Sequence, residues 1–394
     1  MASSDSLPPQ HEPTRSGDPD ADVSPASDGS AGRNRPQWKL LVVAILGLVF
    51  AVTYAWTIRA RWMRLVDPLY GDPIYEAFRR YDLQQAIVPR ELFAVGNTQK
   101  EGIPSLDEPK FVTAKNAGSM RPTDRVIGIT MGGQSRAYPL KILNYHELVN
   151  DRIAGQAIAV TYCPLCDSVL VFDRSSPTGP IEFGVSGLLF NSNVVFYNRA
   201  PGDAESLWSQ MKAQAIYGPK ARQRLVPLPH EITTWASWTN RHPATLVLSS
   251  ETGLGRDYNR PSPYVDYFAG KVPLPVFTVA PYPPVDRLEW LDRVLGVWNK
   301  NGRAARAFPV KSFQDFEETT EIDTEVGGAK LTLAYDPGAK SLRVVRADEG
   351  VQWMYSFWFA WHAFHPETDL YGLPAKTTGH GKPVTTNRGT PSKK

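Results

Sequence analysis

Cysteine is almost absent from this chain, which has two in 394 residues, Cys163 and Cys166. A zinc ribbon needs two such Cys-x-x-Cys knuckles, and the chain has one. The four-cysteine ribbon is therefore excluded, and further metal ligands would have to be His, Met or carboxylate. Because both cysteines lie so close together and the chain uses cysteine nowhere else, we expect the pair to have a function.

Several signatures of well-known chemistry are also missing. The sequence contains no G-x-S-x-G elbow, no Walker loop, no dinucleotide fingerprint and no H-E-x-x-H pair. The net charge is only +3, and basic and aromatic residues do not interleave in one block, so no nucleic-acid partner is implied. Whether the protein is an enzyme stays open.

Residues 40–58 form a long apolar segment of 19 residues without a charge. At about 1.5 Å per residue they span about 28 Å, close to the hydrocarbon thickness of a bilayer. Trp38 and Trp56 lie near the two ends, as interfacial tryptophans do. No small-residue cleavage site follows, so we predict an uncleaved signal-anchor in contact with the lipid bilayer. Basic residues on the two sides are balanced and leave the orientation open.

The cysteines lie at the tip of a predicted β-hairpin formed by residues 155–174. Two β-branched, alternating runs flank the Cys163-Pro164-Leu165-Cys166 turn. Such a turn directs both sulfurs to one side, which suits a metal knuckle. A redox-active or a structural disulfide is the alternative. A thioredoxin-type site fits less well, because a strand and not a helix follows the second cysteine.

An internal repeat supports a function for this turn. Residues 124–141 recur as 292–311 with two inserted residues, and residues 155–174 recur as 328–347. In the second copy the turn is Asp336-Pro337-Gly338-Ala339, so the hairpin can fold without cysteine. The cysteines are peculiar to the first copy.

The short, punctuated apolar segments predict a mainly β (α+β) fold. We expect an internally duplicated antiparallel β unit with helical inserts, preceded by one transmembrane helix. The predicted organisation, in chain order, is a disordered tail at 1–37, an anchor at 38–60, a linker and helical segment at 61–105, the first β repeat with the cysteines at 106–285, the cysteine-free second repeat at 286–374 and a disordered tail at 375–394.

Two histidines are candidates for additional metal ligands. The spacing of apolar residues predicts a helix over 140–150 that places His146 on its buried side. His365 follows an aromatic-rich segment. At both positions a hydrogen-bonded core histidine is the alternative, and it is the more common role of a buried histidine. Small polar side chains that could line a pocket, or simply form turns, are Ser186, Asn191 and Ser192.

Several long motifs carry a family resemblance. The runs SRAYPLKILNYHELVND (135–151), VTYCPLCDSVLVFDR (160–174), FGVSGLLFNSNVVFYNR (183–199), SLWSQ (206–210) and FWFAWHAFHPET (357–368) resemble the bacterial and archaeal family called domain of unknown function 3179. The resemblance implies no established biochemical role. Members of that family mostly look exported or membrane-attached, which implies a globular part on the extracytoplasmic, periplasmic side. Asp167 stands where the family pattern usually has Gly.

Three classes of function remain open. The first is a membrane-anchored protein in which Cys163 and Cys166 bind copper(I) or zinc, with His146 as the leading extra ligand. The second is an extracytoplasmic thiol–disulfide or other redox enzyme. The third is a non-catalytic ligand-binding or interaction module. The substrate, the oligomeric state and any protein partner are not predicted.

Overall fold

A computed structural model of the chain describes residues 37–66, 80–96, 99–284, 286–300 and 304–372. The predicted tails, apart from Gln37, and the linker from 67 to 79 lie outside the described residues. The chain divides into two compact units, with the long N-terminal helix in the first and the strands in the second.

Alternating and β-branched segments form short strands throughout the second unit. The first eleven strands are β1 Phe93–Val95, β2 Leu106–Asp107, β3 Phe111–Thr113, β4 Arg125–Met131, β5 Gln134–Pro139, β6 Leu148–Ile153, β7 Gln156–Cys163, β8 Ser168–Asp173, β9 Phe183–Phe190, β10 Asn193–Asn198 and β11 Leu207–Ser209. The remaining strands are β12 Gln214–Tyr217, β13 Val226–Pro227, β14 Glu231–Thr234, β15 Leu246–Leu248, β16 Arg293–Asn299, β17 Ala305–Pro309, β18 Thr320–Val326, β19 Ala329–Asp336, β20 Ser341–Ala347, β21 Val351–Phe357 and β22 Asp369–Leu370.

Within the described residues the helices are few, and those with both ends described are short after the first. They are α1 Gln37–Val66, α2 Leu140–Leu143, α3 Trp235–Arg241, α4 Val265–Phe268 and α5 Trp358–Phe364. Within α1, Leu41–Arg59 is long and apolar enough to cross a membrane, although a signal sequence has the same properties. The predicted mainly β fold with helical inserts and an N-terminal apolar helix is confirmed.

The predicted helix over 140–150 is wrong beyond its first turn. Helix α2 ends at Leu143, and Glu147 adopts a left-handed backbone conformation with φ of +57°. The chain then continues as β6, which pairs antiparallel with β7. His146 therefore lies in the turn between α2 and β6 and not on a helix face.

The described strands of the second unit form four sheets. Their strand orders are β1-β9-β10-β11-β12, β2-β6-β7-β8-β21-β16-β17-β22 with β13 also on β8, β14-β4-β5-β15-β3, and β18-β19-β20. Strand β8 is buried on both faces: Leu170 and Phe172 pack into the core that contains the cysteines, whereas Val169 and Val171 pack into a second core. Such two-sided burial explains why this strand is almost entirely apolar.

The two halves repeat the same elements and share sheets. Strands β4 to β8 correspond to β16 to β20, and the segment β14–α3–β15 corresponds to β21–α5–β22. In each half the last short strand pairs parallel to the second strand, β15 with β5 and β22 with β17. Strand β8 of the first half pairs with β21 of the second, so the halves interlock.

A glycine–tryptophan contact recurs in both halves. A Cβ on Gly128 would lie 2.3 Å from the ring of Trp238, and a Cβ on Gly296 would lie 2.2 Å from the ring of Trp361. Each indole N–H donates a 2.9 Å hydrogen bond to a threonine seven residues later, Thr245 and Thr368. The glycines are required because the indole ring occupies the space of their side chain.

We therefore predict that Gly296→Ala lowers the free energy of unfolding by about 3 kcal/mol, because Trp361 is fully buried and cannot move aside. Urea unfolding of the full chain in detergent measures this. Gly118→Ala is the control, since a Cβ there meets nothing within 4 Å. Equal stability of the two variants would contradict the packing argument.

Candidate functional site

The cysteine turn closes the β7–β8 hairpin. Cys163 ends β7 and pairs with Ser168, and Pro164–Cys166 forms a single 3-10 turn. Asp167 then adopts the left-handed conformation with φ of 44°, and its N–H donates to the Pro164 carbonyl at 3.3 Å. The sequence prediction of a hairpin with a cysteine at each side of its tip agrees with this geometry.

Both cysteines are free and buried, with exposures of 1% and 0%. Burial raises the pKa of the Cys163 thiol, but a hydrogen bond from the Cys166 thiol and three backbone N–H groups outweigh it, and the pKa lies below its usual value. These N–H groups belong to Leu165, Cys166 and Val194. Burial and the neighbouring Cys163 sulfur raise the pKa of Cys166. The hydrogen bonds to Cys163 therefore favour its thiolate form, whereas the surroundings of Cys166 favour its thiol form.

The second half contains the same turn with a carboxylate in place of that thiolate. Lys340 takes the left-handed position of Asp167 with φ of 47°. The Ala339 N–H donates to Asp336 Oδ1 at 3.0 Å, as the Cys166 N–H donates to the Cys163 sulfur. In both halves this turn thus directs backbone N–H groups at the side chain of its first position, which favours an anion there.

Asp167 links the turn to both repeats. Its carboxylate accepts from Arg125 Nη1 at 2.9 Å and from Arg293 Nε at 2.7 Å, two arginines at equivalent positions of β4 and β16. The Tyr162 hydroxyl also donates to it at 3.0 Å. Burial raises the pKa of Asp167, but the two guanidinium groups outweigh burial and hold it below its usual value. The negative charge beside the cysteines is thereby neutralised.

An irregular segment, described over 249–284, covers the turn. The Asn191 amide donates to the Ala280 carbonyl at 2.8 Å and accepts from the Ala280 N–H at 2.7 Å. The Ser192 hydroxyl donates to the Thr278 carbonyl at 3.1 Å, and the Tyr267 hydroxyl donates to the Leu165 carbonyl at 2.6 Å. Asn191 and Ser192, which the sequence suggested as pocket lining, thus hold this segment over the cysteine turn by hydrogen bonds.

The cavity between this irregular segment and the cysteine turn is small. The cavity lined by Leu165, Ser192, Tyr267 and Phe359 has a volume of about 10 Å³, the space of one water molecule. The Cys166 sulfur lies 3.2 Å from the Ser192 carbonyl oxygen. Ser186 lies within β9 and donates to the Val195 carbonyl of β10. The cysteines are therefore shielded from any large substrate in this state.

The two candidate histidines, His146 and His365, form different contacts in the structure. His146 is fully buried; its Nδ1 donates to the Pro104 carbonyl at 2.7 Å and its Nε2 accepts from the Tyr258 hydroxyl at 2.5 Å. His365 stacks on Trp361 at 3.9 Å between ring centroids, and burial lowers its pKa to about 4. Across the described ranges no three His, Cys, Asp or Glu side chains form a metal-binding group, so neither histidine completes a set with the cysteines.

Glu147 is a site residue that sequence reasoning missed. Its side chain is 8% exposed, and burial first, then the nearby Cys163 sulfur, raise the pKa of its carboxyl well above the usual value. The Tyr162 N–H donates to its backbone carbonyl at 2.8 Å, which fixes it beside the end of β7. No spacing signal identifies this residue, since it approaches the cysteines through the β6–β7 pairing.

The fold and site define a β-rich protein with an N-terminal apolar helix and a buried dithiol turn in one of two repeats. Residues 100–352 match the model of a family described as a protein of unknown function, DUF3179, and the chain belongs to that family. No curated protein and no solved structure matches the chain.

We predict that Asp167→Asn lowers the free energy of unfolding at pH 7 by about 3 kcal/mol, because two guanidinium groups lose their buried counter-charge. Since the pKa of Asp167 is lowered in the folded state, its contribution is present above pH about 4 and is lost as the pH falls through the folded pKa. The difference between wild type and variant should therefore shrink in acid, as urea unfolding from pH 7 to 3 measures.

The control for this prediction is Asp266→Asn, which removes an exposed ion pair with Lys271 at 3.0 Å. It should change stability by less than about 0.5 kcal/mol at any pH. A difference for Asp167→Asn that is the same at pH 3 and pH 7 would assign its effect to packing instead of charge.

Proposed function

We propose that Cys163 and Cys166 bind one copper(I) ion between their sulfurs. The observation that carries this proposal is a turn that places two buried, free cysteines together and directs backbone N–H groups at the Cys163 sulfur. Thiolate is the form of cysteine that binds metals, and soft thiolate ligands select copper(I) and zinc. Here three backbone N–H groups already favour the charged form. The same turn holding a carboxylate in the second half supports a preference of the backbone for an anion.

The number of ligands favours copper(I) over zinc. A structural zinc site takes four protein ligands, whereas two thiolates suffice for copper(I). Among the described residues the two sulfurs and their neighbours, Glu147 included, do not form a group of three or more side chains that could hold a metal ion. The buried, apolar surroundings of both sulfurs suit an ion that has lost its water, and they limit access of water and oxidants.

We further propose that the protein is a single-pass, membrane-anchored member of its family with its β unit on the extracytoplasmic side. Helix α1 is long and apolar enough to span a bilayer over Leu41–Arg59, and this supports the anchor. The orientation is carried by the family resemblance alone.

We expect the full chain, reduced in detergent without oxygen, to bind one copper(I) ion in competition with a chromophoric copper(I) chelator. Cys163→Ser and Cys166→Ser should each weaken binding at least about 100-fold, because either change leaves a single thiolate. The matched control is Asp336→Ser, the equivalent position of the cysteine-free turn, which should bind as wild type does. Wild-type protein without bound copper, or unchanged binding by Cys163→Ser, would overturn the proposal.

A redox-active dithiol is the second candidate, and Glu147 favours it. When a substrate disulfide oxidises the pair and is itself reduced to its thiols, the ionised form of the Glu147 carboxyl would accept the proton of Cys166 and pass it to the leaving thiolate. Equilibration of the full chain in thiol–disulfide buffers, followed by counting of free thiols after denaturation, gives the reduction potential. A potential above about −300 mV would support redox activity, and a lower one would indicate a structural pair.

A further inference from the structure

The irregular segment that covers the cysteine turn has an apolar outer surface. In the described part of the β unit, five large apolar side chains are exposed, and one of them is Val226 of β13. The other four all lie within residues 249–284 and are Leu254, Val265, Val276 and Tyr282. Single exposed apolar residues are normal on any protein, whereas their concentration in one segment indicates an interaction surface.

The centre of this surface lies in residues 272–285, which contain no charged side chain. Val276, Phe277 and Trp290 line the same small cavity, and the Tyr282 and Trp290 ring centroids are 5.6 Å apart. Val276 is 42% exposed and Tyr282 is 60% exposed, whereas Phe277 and Trp290 are half-buried. We call these four residues the apolar patch.

The core beneath the patch holds it in place. The Trp290 ring stacks on Phe359 of α5 with centroids 5.6 Å apart, and Val279 packs into the core that contains the cysteines. Hydrogen bonds hold the backbone of Thr278 and Ala280 over the cysteine turn. The cavity beneath the segment has a volume of about 10 Å³, so it cannot accept the exposed side chains. The patch therefore remains exposed unless a partner covers it.

The composition of the patch and the connection of the chain favour lipid as that partner. Tyrosine and tryptophan among uncharged apolar residues are typical of protein surfaces at the membrane interface. Residues 67–79 connect α1 to the β unit, and a connection of this length spans at most about 45 Å. An anchored chain therefore keeps the β unit near the bilayer at a high effective concentration, so a few apolar side chains suffice for binding. A soluble partner protein would gain nothing from this connection.

We propose that the apolar patch binds the surface of the lipid bilayer. Val276 and Tyr282 enter the boundary between headgroups and acyl chains, and the Tyr282 hydroxyl remains among the headgroups. The segment that covers the cysteine turn therefore faces lipid on its outer side. This inference rests on the proposed membrane anchor and is independent of copper binding.

Fluorescence quenching by brominated lipid tests the patch in the full chain, reconstituted in lipid nanodiscs. A bimane fluorophore is attached at Val276→Cys, or at Tyr282→Cys, in the Cys163→Ser, Cys166→Ser background. We expect lipid brominated near the headgroup end of its acyl chains to lower the fluorescence at least about twofold relative to ordinary lipid, because quenching requires contact. The matched control is Val226→Cys, an exposed valine outside the segment, where the change should stay below about 1.2-fold.

A charge in the patch tests the cause of the quenching. Tyr282→Glu should reduce the quenching at Val276→Cys at least about twofold, because a charged side chain disfavours entry into the apolar layer. Val226→Glu should leave that quenching unchanged. Thermal unfolding shows whether each variant is folded. If the background without cysteine does not fold, the wild-type cysteines are retained, since both are buried and native labelling modifies the exposed position.

Two outcomes distinguish a failure of the anchor from a failure of the patch. If the full chain does not incorporate into nanodiscs, the anchor is wrong and this inference falls with it. If the chain incorporates but quenching is the same at Val276→Cys and Val226→Cys, the anchor stands and the lipid-binding patch is overturned. A patch that binds a partner protein would also give this second result.

Discussion

The buried carboxylate of Asp167 is the interaction on which the arrangement of the two repeats and the cysteine turn depends. It follows Cys166 directly, and its left-handed backbone conformation allows the chain to enter β8. Its oxygens then accept from Arg125 of one repeat and Arg293 of the other. A buried carboxylate is costly without such partners. A glycine would adopt the same backbone conformation more easily, but it could not join the two arginines.

The cysteine turn and its counterpart in the second half share their backbone geometry and differ in their side chains. The fold supplies a tight turn whose N–H groups point at the first side chain, and this holds for Cys163 and for Asp336 alike. In the second half that anion also accepts from the Ser237 hydroxyl of α3. In the first half the anion is a sulfur with a second sulfur beside it. The soft-metal or redox chemistry that we propose for the first half therefore requires only the exchange of two side chains in a turn that both halves share.

The parts of the fold that local patterns determine were predictable. Alternation on both sides of Pro164 indicated the hairpin, and the recurrence of residues 124–141 indicated the repeat. The helix over 140–150 failed because its apolar spacing also suits a turn followed by β6, and the pairing with β7 decides between them. That pairing is set by tertiary contacts and not by periodicity.

Of the candidate site, only the cysteine turn could be predicted from the sequence. Glu147 approaches the sulfurs through strand pairing, and the segment that covers them is held by hydrogen bonds between residues 86 to 102 positions apart in the chain. The third block of the repeat, Trp235 to Thr245 against Trp358 to Thr368, is visible in the sequence once the glycine–tryptophan contacts are known. Its conserved feature is the set of tryptophan, histidine, proline and threonine positions, whereas the residues between them differ.

The interlocking of the halves has a consequence for the history of the chain. Strand β8 pairs with β21 of the other half. A polypeptide with a single repeat would therefore leave this part of the β8 edge without its partner strand. Two such polypeptides could cover their edges by exchanging strands in a two-fold symmetric dimer. Fusion of two copies into one chain makes this exchange internal. The sequences of the two copies can then differ, so that one turn carries sulfur and the other carries a carboxylate.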